Sequence, residues 1–116
     1  MRVIIAGSRT ITDYSAVCAA VEQSGFLVTS VLSGMASGVD QLAIRYAREH
    51  DLPCAHFPAD WRQHGRSAGY RRNAEIARNA DALVAVHLNN SRGTQHMIDI
   101  GRKMGLKVYV VVMCPP

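Results

Sequence analysis

A parallel sheet of five strands, covered by helices on both faces, is the fold this sequence predicts, and three observations predict it. Five short apolar runs alternate with stretches of helical periodicity. Most of the runs are continuous in Val, Ile, Leu and Ala and do not alternate with polar residues, which is the pattern of parallel strands buried on both sides. Small, hydroxylated and arginine-bearing loops follow the strands, whereas the connections that lead back into them are plain.

The elements read in order. Val3–Ala6 is the first strand. Tyr14, Val17, Cys18 and Val21 then recur at i, i+3, i+4 and i+7, a helical stripe that Gly25 stops at a C′ position. Val28–Leu32 is the second strand. Val39, Leu42, Ala43, Tyr46 and Ala47 form the next stripe, and Asp51-Leu52-Pro53 ends it because proline cannot continue a helix. Cys54–Phe57 is the third strand. The stretch 60–69, carrying Trp61, Arg62, His64 and Arg66, reads as a long irregular loop lying over something. Tyr70, Asn73, Ile76 and Ala77 repeat the helical period more weakly. Ala82–His87 is the fourth strand, Met97, Ile100 and Met104 mark the last helix up to Gly105, and Lys107–Met113 is the fifth strand. Strict alternation gives a Rossmann-like three-layer sandwich with right-handed crossovers, one domain over residues 1–116.

Composition bounds what such a domain does. A chain of 116 residues supports one core of modest stability, and a homo-oligomer is expected. A net charge of +4 favours an anionic partner, with nucleic acid, a mononucleotide and an acidic metabolite all open, or serves solubility alone. Cys18, Cys54 and Cys114 are far apart, without the spacing of a disulfide framework or a zinc site. Cys18 and Cys54 read as small core residues. No metal and no resident cofactor is expected. The chain opens on a strand and not on a signal peptide, and no apolar run approaches the ~18 residues of a membrane span. No membrane association and a cytoplasmic location are the expectation.

Ligands of open α/β sheets bind beyond the carboxyl ends of the strands. There the sequence places Gly7-Ser8-Arg9-Thr10, then Ser33-Gly34-Met35-Ala36-Ser37-Gly38-Val39-Asp40, then Asp60-Trp61, then Asn89-Asn90-Ser91-Arg92-Gly93-Thr94. Glycine permits close backbone approach. Hydroxyls and unpaired amides at a helix start, with the helix dipole, suit a phosphate. Arg9, Arg72 and Arg92 can add bidentate bonds to phosphate oxygens. Each residue also has a plain alternative. Gly7 can be a tight turn, Asp40 a charge favouring the helix dipole, Arg72 a solvated helix face and Trp61 a core plug. It is their convergence on one edge that points to a site. Neither GxGxxG nor GxxxxGK[ST] occurs, so a standard dinucleotide site or P-loop kinase is not expected. Of the five histidines, His64 and His96 alone fall near these loops.

Taken together, Ile5-Ala-Gly-Ser-Arg9, Leu32-Ser-Gly-Met-Ala-Ser-Gly-Val-Asp40, Arg72-Asn73, Ala80-Asp81 and Ser91-Arg-Gly-Thr94 resemble the SLOG superfamily. These are Rossmann-like domains related to the DNA-processing proteins and the Lonely Guy phosphoribohydrolases, and the resemblance is to the small, single-domain YspA/YpsA-related branch. It implies a nucleotide-derived ligand surrounded by Gly7, Ser8, Arg9, Ser33, Gly34, Gly38, Asp40, Arg72, Asn73, Ser91, Gly93 and Thr94. Lonely Guy enzymes carry PGGxGTxxE, whose glutamate serves hydrolysis of the N-glycosidic bond. Here that position is Met97, which is neither acid nor base. Asp40 and Asp99 are the nearby carboxylates, and Asp99, about 200° around the helix from Met97, is expected to face away.

Three functions follow in order of preference. The first is a sensor or sequestering module for a nucleotide-derived small molecule. The second is an enzyme that cleaves or transfers the base of a nucleoside phosphate, with Asp40 steadying an oxocarbenium-like centre and His96 protonating the base. The third is a single-stranded DNA-binding protein, for which one Trp, two Phe and four Tyr are few.

Overall fold

The computed structural model describes residues 1–88 and 91–113. Five parallel strands, β1 (Arg2–Gly7), β2 (Ser30–Ser33), β3 (Cys54–His56), β4 (Ala82–Leu88) and β5 (Lys107–Met113), form one sheet in the order β3-β2-β1-β4-β5. Between them run α1 (Tyr14–Ser24), α2 (Val39–Glu49), α3 (Trp61–His64), a 3-10 turn (Gly65–Ser67), α4 (Ala68–Arg78) and α5 (Arg92–Lys103). The architecture is the three-layer, Rossmann-like α/β fold that the strand pattern predicts.

The continuous apolar runs have the cause inferred for them. Neighbouring residues of each central strand point to opposite faces, and both faces are covered. Val3, Ile5, Val31, Val84 and Val86 pack with Val17 and Val21 of α1 and Val39, Ala43 and Ala47 of α2. Ile4, Leu32, Leu83 and Ala85 pack with Ile76 and Ala77 of α4 and Met97 and Ile98 of α5. The rule weakens at the edge. β5 pairs on one side only, and its Val112 is half exposed. No helix is long and apolar enough to cross a membrane among the described residues.

The helix stops are chemical. Gly25 caps α1 in the left-handed conformation at φ 71°. After α2 the reversal is made by Asp51 at φ 53°, two residues before Pro53. Gly105, at φ 81°, turns the chain from α5 into β5.

Two expectations are corrected. Residues 60–69 are not an irregular loop but α3, the 3-10 turn and the start of α4. Asp60 caps α3 by accepting the Gln63 amide at 3.0 Å. The signal was present in the sequence, since an N-cap residue followed three positions later by Gln is a helix start. Cys18 is only half-buried beside Tyr14 and belongs to neither core cluster, whereas Cys54 packs against the α1–α2 side of the core. Cys114 lies outside the described residues.

Candidate functional site

The strand order places a topological switch between β1 and β4. The chain moves outward from β1 through β2 to β3, then crosses back to lay β4 on the other side of β1. The helices after β1 and β4 therefore leave on opposite faces, and a crevice opens between their loops. A pocket of about 450 Å³ lies there, lined by Gly7, Ser8, Arg9, Asp40, Arg72, Asn73 and the turn Ser91 to Thr94, with Ala6, Thr10, Ala36, Leu88 and Met97. Ten of the fourteen residues singled out in the sequence thus meet in one place. Gly34 and Trp61 line an adjoining hollow of about 280 Å³ that shares Arg9 and Arg72 with the pocket. Ser33 and Gly38 line neither. Asn89 and Asn90 lie outside the described residues.

Ser33 and Gly38 shape the loop from behind. The Ser33 hydroxyl is fully buried, donates to the Asp40 carbonyl at 2.7 Å and accepts the Met35 amide at 3.1 Å. Gly38 is the N-cap of α2 at φ 72° and ψ −129°, and a Cβ there would overlap the Ser8–Arg9 backbone. Gly7 is equally constrained. A Cβ there would overlap the Val86 carbonyl and stand 2.8 Å from Val39 Cγ2. Ser8 ties three elements together: its amide donates to the Val86 carbonyl, its hydroxyl accepts the Leu88 amide at 2.9 Å, and its carbonyl accepts the Val39 amide at 3.3 Å.

The two hydroxyl-rich helix starts differ in what already occupies them. At α2 the first amide is taken by Ser8, and Asp40 in the first turn brings its own carboxylate, which accepts the Ala36 amide at 3.1 Å. The positive end of α2 is met from within. At α5 the Ser91 and Thr94 hydroxyls pair with each other at 2.7 Å and Ser91 caps nothing. The amides of Arg92, Gly93 and Thr94 find no partner among the described residues, and Gln95 is the first to bond back into the helix. Amides left without a partner among the described residues, together with the helix dipole, are the features that suit an anion. Arg9 and Arg92, both exposed, stand at this turn without an ion-pair partner among the described residues.

Arg72 is used differently. Its Nη1 donates to the Gly34 carbonyl, its Nε donates to Asn73 Oδ1 at 2.9 Å, and Asp40 lies 4.0 Å away. Gly34 leaves room for this, since a Cβ there would collide with the guanidinium. Asn73 continues the strut, donating from Nδ2 to the Gly93 carbonyl at 3.3 Å and sharing a 3.1 Å contact with His96 Nδ1. Arg72-Asn73 therefore ties the loop after β2 to the first turn of α5. His96 packs edge-on to Tyr70, and burial lowers its pKa against a small opposing effect of Asp99. A neutral ring accepting from Asn73 at Nδ1 carries its proton on Nε2. His96 does not line the pocket, and His64 lines none of these hollows.

Met97 is buried and lines the pocket, whereas Asp99 is exposed and accepts from Gln95 at 2.9 Å. Trp61 is 52% exposed and is no core plug. With Tyr70 and Arg66 it flanks a further hollow of about 210 Å³ that shares Arg9, Arg72, Asn73 and Gly93 with its neighbours. Arg66 was not among the site residues singled out in the sequence. Its place depends on the 3-10 turn, which no apolar periodicity announces.

Asp40 is the single carboxylate among the described residues that line the pocket. Burial raises its pKa above 3.8, against the opposing pull of Arg72, the Ala36 amide and Arg9. The folded chain thus binds that proton more tightly than the unfolded one, and stability falls as pH rises through the folded pKa. Asp40→Asn should therefore be more stable than the parent at pH 7, with the difference closing as pH drops below 3.8. Urea denaturation of both proteins at the two pH values measures this, and a constant difference would contradict it.

Fold and crevice together define a Rossmann-like domain with a pocket at the β1–β4 switch. The chain belongs to the YspA, cpYpsA-related SLOG family, whose sequence model matches residues 1–64. It is also similar to the Gene 61 protein of Mycobacterium phage D29, with 36% identity over 118 residues that cover 92% of this chain and 93% of that protein. No solved structure matches it.

Proposed function

We propose that the pocket binds a nucleotide or a nucleotide-derived phosphate ligand, and that the protein acts as a sensor or sequestering module for it. One observation carries this reading: the amides of Arg92, Gly93 and Thr94, which find no partner among the described residues, stand at a pocket of about 450 Å³ flanked by Arg9 and Arg92. Such a turn takes a phosphate with charge-assisted bonds. The exposed rings of Trp61 and Tyr70 beside it offer flat apolar faces for a base. Membership of the SLOG family supports a nucleotide-related ligand. Met97, at the position of the Lonely Guy glutamate, favours binding over hydrolysis.

One observation favours turnover as the second reading. Asp40 presents a desolvated carboxylate in the pocket, where it can steady a positively charged sugar centre. A thermal-shift screen separates the two. The panel holds nucleoside monophosphates, ADP-ribose, NAD, cyclic dinucleotides and a short DNA oligomer, with every mixture analysed by chromatography afterwards. A ligand at 100 times its Kd should stabilise the fold by about 2.7 kcal/mol, several degrees for a domain of this size. Recovery of the ligand intact supports the sensor. Free base in the mixture supports the enzyme, and its release should then be nearly abolished in Asp40→Asn. Stabilisation by DNA alone, weakening steeply with salt, would replace both readings.

A further inference from the structure

Six large apolar side chains are exposed among the described residues, and three of them, Met35, Trp61 and Tyr70, gather at the hollows beside the main pocket. A large ring left in water forfeits the burial that folding rewards, so two such rings at one hollow mark a surface kept for a partner. Both rings are held in place. Trp61 opens α3, and its six-membered ring lies against the start of α4, where a Cβ on Gly69 would stand 3.6 Å from Cη2. Tyr70 is braced by His96, with ring centroids 4.5 Å apart.

The polar side chains around these rings differ in what they have left to give. Asn73 accepts from Arg72 at Oδ1 and donates to the Gly93 carbonyl from Nδ2, so its amide is spent. Arg72 is committed to Gly34 and Asn73 beside Asp40. Arg71 gives its Nε to Ser67 at 3.0 Å. Arg66 is exposed, and its guanidinium has no ion-pair or hydrogen-bond partner among the described residues. It lines the Trp61–Tyr70 hollow but neither the main pocket nor the hollow at Gly34, whereas Arg9 borders all three. Arg66 is thus the guanidinium dedicated to this hollow. Among the described residues no carboxylate lines it, and the Tyr70 hydroxyl, which both donates and accepts, does not discriminate.

A base stacked on these rings presents its edge to that guanidinium. Five N–H donors and no acceptor match an edge with two adjacent acceptors. N7 and O6 of a 6-oxopurine are such a pair, and arginine takes both at once. Adenine offers N7 beside an amino donor, which would meet the N–H groups of Arg66 and lose water without gaining a partner.

We infer that the Trp61–Tyr70 hollow is a base subsite selective for 6-oxopurines, with Arg66 reading N7 and O6, so that the ligand is a guanine or hypoxanthine nucleotide. The inference rests on the nucleotide reading above and narrows its ligand class.

Trp61 is the sole tryptophan of the chain, so intrinsic fluorescence reports what lies on its ring. The probes are guanosine, inosine and adenosine monophosphates and ribose 5-phosphate, with affinity read by calorimetry and position by Trp61 fluorescence. Both 6-oxopurine nucleotides should quench Trp61 and bind at least about tenfold tighter than adenosine monophosphate. Ribose 5-phosphate should bind without quenching. Arg66→Gln replaces the donor fork with an amide, the group that pairs with adenine. In that variant the preference should fall to about twofold or reverse. Because Arg66 is exposed, the variant should unfold at the temperature of the parent. If none of the four probes binds, the nucleotide reading falls, and this inference with it. If the nucleotides bind without quenching Trp61, bind with equal affinity, or keep their preference in Arg66→Gln, the base subsite is overturned and the nucleotide reading stands.

Discussion

Replacing Gly38 with alanine should lower the stability of this protein by roughly 2–6 kcal/mol and abolish ligand binding. Two costs add. At φ 72° and ψ −129° the residue occupies backbone space that only glycine enters freely, and forcing a side chain there costs about 1–3 kcal/mol. The new Cβ would also overlap the Ser8 and Arg9 backbone, and overpacking of that kind costs about 1–3 kcal/mol more. The overlap has no easy relief. Ser8 is held from both sides, by Val86 and Leu88 on β4 and by Val39 on α2. Relief would have to shift Arg9 at the pocket rim. Against a total stability of about 5–15 kcal/mol, the change threatens folding itself. Gly93→Ala is the control, because its Cβ meets nothing within 4 Å, and its stability should stay close to the parent. Urea denaturation of the three proteins at pH 7 settles the comparison, and a Gly38→Ala midpoint equal to that of Gly93→Ala would refute it.

Arg72→Met should cost about 3 kcal/mol, the lower end of the range for stranding one member of a buried ion pair. Side-chain exposures of 12% for Arg72 and 8% for Asp40 put the pair out of water. The 4.0 Å separation makes it a loose one. Without Arg72, burial of Asp40 is opposed only by the Ala36 amide and the more distant Arg9, so its pKa should rise further. The loss should therefore shrink as pH falls, since a protonated Asp40 needs no cation. A purely steric defect would persist at every pH. The double variant Arg72→Met, Asp40→Asn should recover much of the stability at pH 7, because the uncompensated charge is gone. Failure to recover would mean that Arg72 acts mainly through the Gly34 carbonyl and Asn73. Ligand affinity separates its two structural ties. If the strut to Gly93 orders the first turn of α5, phosphate binding weakens in Arg72→Met even under acid conditions where the fold is stable.

These two residues also show how far the sequence reaches. Apolar runs without alternation, helical stripes between them and glycine stops after the helices are local signals. Periods of two and 3.6 reflect geometry that each segment carries with it. Parallel strands, the covered sheet and the carboxyl edge, where the pocket lies, were therefore legible in the residues alone, and so was the turn Ser91-Arg92-Gly93-Thr94 that lines it. The short helix at Trp61 was legible too, in the Asp60–Gln63 cap, but it has no apolar stripe to mark it.

What each polar group does depended on contacts that no local pattern contains. Arg72 reaches a carbonyl 38 residues away, and Ser8 holds an amide 80 residues away. Strand alternation by itself does not say that β4 lies beside β1, and without that neighbour neither the crevice nor the bond from Leu88 to Ser8 exists. In the sequence, the starts of α2 and α5 look alike, each a glycine turn with hydroxyls. Only the folded chain shows that Asp40 and Ser8 occupy the first, and that the amides of the second find no partner among the described residues. Hydrogen-bond satisfaction is a property of the whole fold, because every buried donor or acceptor must find a partner wherever the chain brings one. The sequence by itself determined the layers and the edge where chemistry gathers. The tertiary structure decided which donors are spent on the fold and which, at the first turn of α5, find no partner among the described residues.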